Sequence, residues 1–282
     1  MTRGMTELLE RKDRLKRSDR GMKFTENCYE KVIEWIKEAD KILVGFGTEW
    51  EIPAIETLFC AKEQWKASLE FQKVYARTSA VEEGRAENGS DLEGIDRIRR
   101  GYQIIRHLLE EKDYFLITTN SDAYIYWQGF AEERIVAPCG DIRRMQCEEL
   151  QHGVWEFGEE DKSLVCPVCK KVGTLNVLQN MPYQESGYLE AWKAYQIWLQ
   201  HTIHKKIVLL ELGEGFQTPT VMRWPFEKLV FFQEKAILCC VHESLSMVSK
   251  EISERAYSVA ENSIDFIFQL GKRIEQNRIE YN

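Results

Sequence analysis

The hydrophobic pattern of this chain switches between two periods. Short, unbroken apolar runs alternate with longer stretches in which apolar residues recur every three to four positions. Five runs read as strands: Lys41–Gly45, Tyr114–Thr118, Arg134–Ala137, Lys206–Leu210 and Lys235–Val241. They are rich in Ile, Val, Leu and Phe and do not alternate with polar residues, which is the pattern of strands covered on both faces. Between them lie helical segments. Asn27–Lys37 carries Val32, Ile33 and Ile36 on one face, with Thr25 placed to cap it. Gly101–Glu111 gathers Ile104, Ile105, Leu108 and Leu109, and Leu189–His201 spaces Trp192, Tyr195 and Leu199 at i, i+3, i+7. Strands alternating with helices predict an α/β fold, a parallel sheet with helices on both faces. Ala80–Asp96 has few apolar residues and reads as a solvated loop. Met1–Gly21 reads as a charged helix or tail.

Composition narrows the function classes. Among 282 residues, 38 Lys and Arg face 46 Asp and Glu, a net charge of −8. Such a chain has no general attraction for nucleic acid or for an anionic membrane, so neither is an expected partner. No apolar stretch approaches the roughly 20 residues needed to span a bilayer, and the charged N-terminus lacks the apolar region of a secretory signal. The expected compartment is the cytoplasm, where the 8 Cys would be reduced and available for metal or catalytic chemistry.

Three places carry chemical signals. At the end of the first strand, Gly45-Phe46-Gly47-Thr48-Glu49 brings paired glycines to a strand end, where a backbone can approach a phosphate; the alternative is a tight strand-to-helix turn. At the end of the second, Thr118-Thr119-Asn120-Ser121-Asp122 concentrates small hydrogen-bonding side chains where open parallel sheets hold ligands; the alternative is a helix N-cap. The third signal is a cysteine cluster. Cys166-Pro167-Val168-Cys169 is a CxxC, and 18 residues separate it from Cys147, the spacing of a zinc ribbon. Leu150 stands where the first pair needs its second Cys, and His152 can complete a Cys3His set. A structural zinc is the favoured reading, over a metal-free hairpin and over a redox CxxC.

The order of the pieces says more than any one of them. A glycine turn, TTNSD, Pro138-Cys139-Gly140, a cysteine module, Glu211-Leu212-Gly213-Glu214-Gly215 and a last buried strand follow one another. This order resembles the sirtuin family of NAD-dependent deacylases and ADP-ribosyltransferases. The stretch LELGEGFQTPTVMRWPFEKL, Leu210–Leu229, is most similar to the macrodomain-linked (class M) microbial sirtuins, and the likeness runs from about Lys41 to Ile252. It implies a Rossmann-like domain over 24–145 and 181–282, a small zinc-ribbon-like module over 146–180, and a charged segment over 1–23. It also implies site residues. Gly45 and Gly47 match the glycines of the phosphate-binding turn, which makes Phe46 and Thr48 of the same turn cofactor-binding candidates as well. Asn120 and Asp122 match the residues that hold the nicotinamide ribose and amide. Gly213 and Gly215 lie near the adenosine, Val241 and His242 beside the adenine ribose, and Cys147, Cys166 and Cys169 match three of four zinc thiolates.

The departures carry information too. Where deacylating sirtuins have a His that serves as general base, this chain has Cys139; class M members have also lost that His. Phe46 replaces a small residue and is expected to crowd the pyrophosphate. The Gly-Ile-Pro-x-Phe-Arg motif is reduced to Trp50-Glu51-Ile52-Pro53, without the Arg. The expected function is NAD-dependent protein ADP-ribosyl transfer, with Asn120, Asp122 and Cys139 as catalytic candidates and an acceptor protein as partner. The alternatives are an NAD or ADP-ribose sensor without turnover and, least favoured, a deacylase.

Overall fold

The computed structural model describes residues 28–78, 89–157 and 164–280. The expectations for Met1–Gly21 and the Thr25 cap, and the segment boundaries at 23 and 24, fall outside these residues.

Six strands form one sheet: β1 (Lys41–Phe46), β2 (Asp113–Thr118), β3 (Ile135–Val136), β7 (Ile207–Leu212), β8 (Ala236–Val241) and β9 (Ala256–Val259). Their spatial order is β3-β2-β1-β7-β8-β9, and every neighbouring pair is parallel. Five match the apolar runs; β9 is too short and too polar to stand out in the sequence. Chain order reverses between β1 and β7: the two strands stay paired to Phe46 and Leu212, and the connections that leave them run to opposite sides in the sheet order. The crevice outside their carboxyl ends is the switch point at which doubly wound sheets bind ligands.

Unbroken apolar runs are explained by burial on both faces. Ile42, Val44 and Phe46 point into one core layer, and Leu43 into the other; Val208 and Leu210 oppose Ile207 and Leu209 in the same way. Helices α1 (Cys28–Glu38), α4 (Gly89–Leu109) and α7 (Ser263–Glu280) cover the first face. Helices α5 (Leu189–Gln200) and α6 (Arg223–Phe232) cover the second. The expected loop over 80–96 is corrected in part. Helix α4 already begins at Gly89, because Ile95 and Ile98, spaced i, i+3, are both buried against the core; residues 79–88 lie outside the description.

A second, antiparallel sheet of order β5-β4-β6 comprises β4 (Gly140–Gln146), β5 (Val154–Glu156) and β6 (Thr174–Val177). Helices α2 (Ile55–Cys60) and α3 (Gln64–Thr78) leave the large sheet and sit with it: Ser68 Oγ donates to the Ile142 carbonyl at 3.1 Å. No helix among the described residues is long and apolar enough to cross a membrane.

Candidate functional site

The loops after β1, β2, β3, β7 and β8 converge at the crevice. After β1, Gly47 donates its N–H to the Leu212 carbonyl at 2.9 Å. A Cβ on Gly47 would lie 2.3 Å from Glu214 Cα, so the two loops touch backbone to backbone there. Gly45 is small for another reason: its Cβ would strike Met222 Sδ at 2.4 Å. Thr48 Oγ1 reaches the Gly213 carbonyl at 3.5 Å. Phe46 points away from the crevice. It is fully buried, and its ring lies 5.0 Å from both Trp50 and Tyr102. The expected crowding of a pyrophosphate by Phe46 is therefore corrected: the pleat sends this side chain into the core.

After β2, Thr118 Oγ1 donates to the Phe46 carbonyl at 3.3 Å and accepts from the Asn120 N–H at 3.1 Å. Asn120 is 3% exposed, yet among the described residues neither its Oδ1 nor its Nδ2 has a hydrogen-bond partner. A buried amide without partners costs several kcal/mol on the scale of about 1–3 per group, and is the mark of a side chain built to meet a ligand. Ser121 Oγ is buried and unpartnered as well. Asp122 instead braces the walls. Its Oδ2 accepts from the Ile52 N–H at 2.7 Å and its Oδ1 from the Tyr124 N–H at 2.8 Å. The N-cap alternative for this cluster is corrected: the short 3-10 turn over Tyr124–Trp127 has Ala123 at its N-cap with no side-chain cap bond, and Asp122 reaches the first N–H of the turn from one residue earlier. Burial pushes its carboxyl up to about 6 against the pull of those two N–H groups.

The third wall holds Cys139, 4% exposed. Burial, with Glu214 nearby, pushes its thiol up to about 12. It keeps its proton at neutral pH, so as a catalytic candidate Cys139 does not take the place of the His base there. Gly140 beside it has φ +77, and a Cβ there would lie 2.0 Å from the Asn176 carbonyl oxygen; only glycine turns this corner.

After β7, Gly213 has φ +69 and donates to the Val241 carbonyl at 2.8 Å. A Cβ on Gly215 would meet only Leu245 Cδ1, at 3.9 Å. Val241 is fully buried, and His242 Nδ1 accepts the Ser244 and Leu245 N–H groups, both at 3.1 Å. Glu49 reaches across, accepting from the Ser263 N–H at 2.6 Å and the Glu243 N–H at 3.0 Å. It thereby closes the N-terminus of α7. Arg223 does not replace the missing arginine. It is buried, pairs with Glu211 at 2.6 Å and donates to the Glu214 carbonyl at 2.8 Å.

Sequence reasoning passed over two groups. Glu214 is 1% exposed, and burial pushes it up to about 7. Glu51 is pushed to about 7 by burial and by Asp122. Both were visible as acidic residues inside the strand-end motifs, but nothing in the spacing separates them from solvated carboxylates.

Away from the crevice, Cys147, His152, Cys166 and Cys169 bring one ligand atom each to within 4.8 Å of the others. Cys147 Sγ lies 3.6 Å from Cys169 Sγ and 3.4 Å from His152 Nδ1; Cys166 Sγ lies 3.7 Å from the same nitrogen. A tetrahedron with Zn–S of about 2.3 Å and Zn–N of about 2.0 Å has edges of roughly 3.8 Å and 3.5 Å. The cluster can hold a zinc ion. Leu150, in the place of the absent cysteine, is exposed.

No family model matches the chain. Over 153 residues, 46% of this chain, it is 25% identical to a probable bifunctional ADP-ribose hydrolase/ADP-ribosyltransferase of Fusarium oxysporum f. sp. cubense. Over 184 residues, 58% of the chain, it is 21% identical to a protein ADP-ribosyltransferase of Staphylococcus aureus (strain Mu50 / ATCC 700699). The matches span only 26% and 58% of those proteins. Among solved structures, a mutant Sir2 homologue in complex with 2′-O-acetyl-ADP-ribose superposes with a TM-score of 0.50 at 11% identity, covering 88% of this chain and 97% of that one. A structure from work on sirtuin substrate affinity gives 0.50 at 9% identity, covering 86% and 98%. The six-stranded parallel sheet, its reversal between β1 and β7 and the small second sheet are those of the Sir2 fold.

Proposed function

We propose that the chain is an NAD-dependent protein ADP-ribosyltransferase of the class M sirtuin type. The carrying observation is Asn120: a buried amide with two unpartnered atoms at the carboxyl edge of a Sir2-type sheet. The names of the two sequence relatives support the same chemistry. In this reading 24–145 and 181–282 bind NAD, and 146–180 forms the metal module. NAD is a co-substrate that supplies the ADP-ribosyl group. Asn120 would orient its ribose, the loops that Gly47 and Gly213 let pack backbone to backbone would shape the phosphate and adenosine end beside Gly215, and Asp122 would fix the walls of the nicotinamide end. Exclusion of water and orientation of the reacting carbon are what such a pocket contributes. The acceptor is a side chain of a partner protein.

Zinc would be held by Cys147, His152, Cys166 and Cys169 and would act structurally, holding a small sheet with little core of its own. Deacylation is disfavoured, because a thiol held at about 12 does not replace a histidine base.

The test is calorimetric titration with NAD, followed by an assay of nicotinamide release. Micromolar to millimolar binding and a release rate at least tenfold above that of Asn120→Ala are expected. A release rate unchanged in Asn120→Ala would remove the assignment. One observation favours a second reading, an NAD or ADP-ribose sensor: the crevice has neither the histidine nor the arginine of the turnover machinery. Binding without any nicotinamide release is its expected result.

A further inference from the structure

Glu214 sits at the centre of the crevice with no role yet. Gly213, in the left-handed conformation, turns the chain at the end of β7 so that the next side chain enters the protein. Its Oε2 accepts a hydrogen bond from Thr119 Oγ1 at 2.8 Å, and its Oε1 one from Thr218 Oγ1 at 3.4 Å. Thr119 directly precedes Asn120, the amide without partners. Thr218 also hydrogen-bonds Cys139. The Glu214 carboxyl therefore bridges the strand end that would hold the ribose and the loop where the family keeps its base.

We propose that Glu214 is the proton acceptor of the transfer step, in the role that Cys139 cannot fill. The inference rests on the ADP-ribosyltransferase reading. In the step, the bond between the ribose C1′ and the nicotinamide nitrogen breaks, and its electron pair leaves with neutral nicotinamide. A heteroatom of the acceptor forms the new bond to C1′. The proton of that heteroatom passes to a Glu214 carboxylate oxygen and then to water.

The surroundings suit this task. The charged and titratable groups facing Glu214 are Glu211 from β7, Arg223 from α6 and Cys139 from the loop after β3. Arg223 is engaged by Glu211 and by the Glu214 main-chain carbonyl, so the carboxyl is held by two neutral hydroxyls. Burial first, then Glu211, places it at about 7, matched to proton transfer near neutrality. Asp122 is less apt, since both of its oxygens are fixed by main-chain N–H groups. Glu51 is held by the Ser121 N–H.

The test uses the full chain, NAD, and water or methanol as the acceptor. For wild type, nicotinamide release is expected to rise with pH through about 7. Glu214→Gln keeps a group that can bond both threonines. It is expected to lose roughly 100-fold in rate and to flatten the pH profile, while NAD affinity by calorimetry changes less than tenfold. Glu214→Asp should restore part of the rate, and Cys139→Ser should keep the inflection. A readout independent of turnover is the melting temperature against pH. It should fall less steeply between pH 5 and 8 in Glu214→Gln than in wild type, because one buried carboxyl fewer must ionise. An active wild type whose rate and inflection survive Glu214→Gln, or follow Cys139 or Glu51→Gln, overturns this inference alone. A wild type that releases no nicotinamide overturns the functional reading and this one with it.

Discussion

Phe46 and Glu214 lie at the ends of adjacent strands, and their side chains go opposite ways. Phe46 fills the core beside Trp50 and Tyr102, so its replacement is a stability matter. Phe46→Ala is expected to cost about 3–5 kcal/mol in chemical denaturation, with the crevice backbone intact in surviving protein. Gly140 is the other residue with no substitute. Gly140→Ala places a methyl against the Asn176 carbonyl at positive φ. The conformation alone costs about 1–3 kcal/mol, so the midpoint of urea unfolding should fall measurably, and more than for Gly153→Ala. Gly153 has the same φ of +77, but a Cβ there meets nothing within 4 Å.

At the scale of elements, the small sheet carries a Cys3His cluster that can hold a zinc ion. Cys169→Ser should lose the one bound zinc per chain expected from metal analysis of the wild type. Its melting temperature should drop, and a strong chelator should bring the wild type down to the same value. The strands of the large sheet were legible because each is buried on both faces and therefore apolar throughout, as in Ile42–Val44 and Ile207–Leu210. Strand β9, Ala-Tyr-Ser-Val, was not: it lies at the sheet edge, where Tyr257 and Ser258 are half-buried and polarity is tolerated. The start of α4 was hidden for a related reason, since among the residues around it Ile95 and Ile98 are two isolated apolar positions that pack on the core. In the site, Asn120 could be named from its motif, but its lack of partners could not. The burial that sets Glu214 and Glu51 apart from ordinary surface carboxylates comes from loops far apart in sequence, which no local pattern encodes.

For the whole molecule, the buried carboxyls set how stability responds to pH. Glu51 and Glu214 are raised to about 7 and Asp122 to about 6, above unfolded values near 4. A group whose folded pKa is raised favours the fold fully below its unfolded pKa, and that contribution is lost as pH rises through the folded value. Each unit corresponds to about 1.4 kcal/mol. Calorimetric melting temperatures should therefore decline between pH 5 and 8. Asp113, lowered by hydrogen bonds from Lys41 and Trp198 despite its burial, acts in the opposite sense, and only under more acid conditions. The sheet order has a consequence of a different kind. Strand β1 lies between β2 and β7, and β7 begins at Ile207, 161 residues after β1 ends at Phe46. At synthesis rates of roughly 5–20 residues per second, β1 waits roughly 8–32 s for one of its two partners. During that interval its inner edge offers unpaired backbone to any neighbouring nascent chain, and newly made protein has to be shielded there until β7 has emerged.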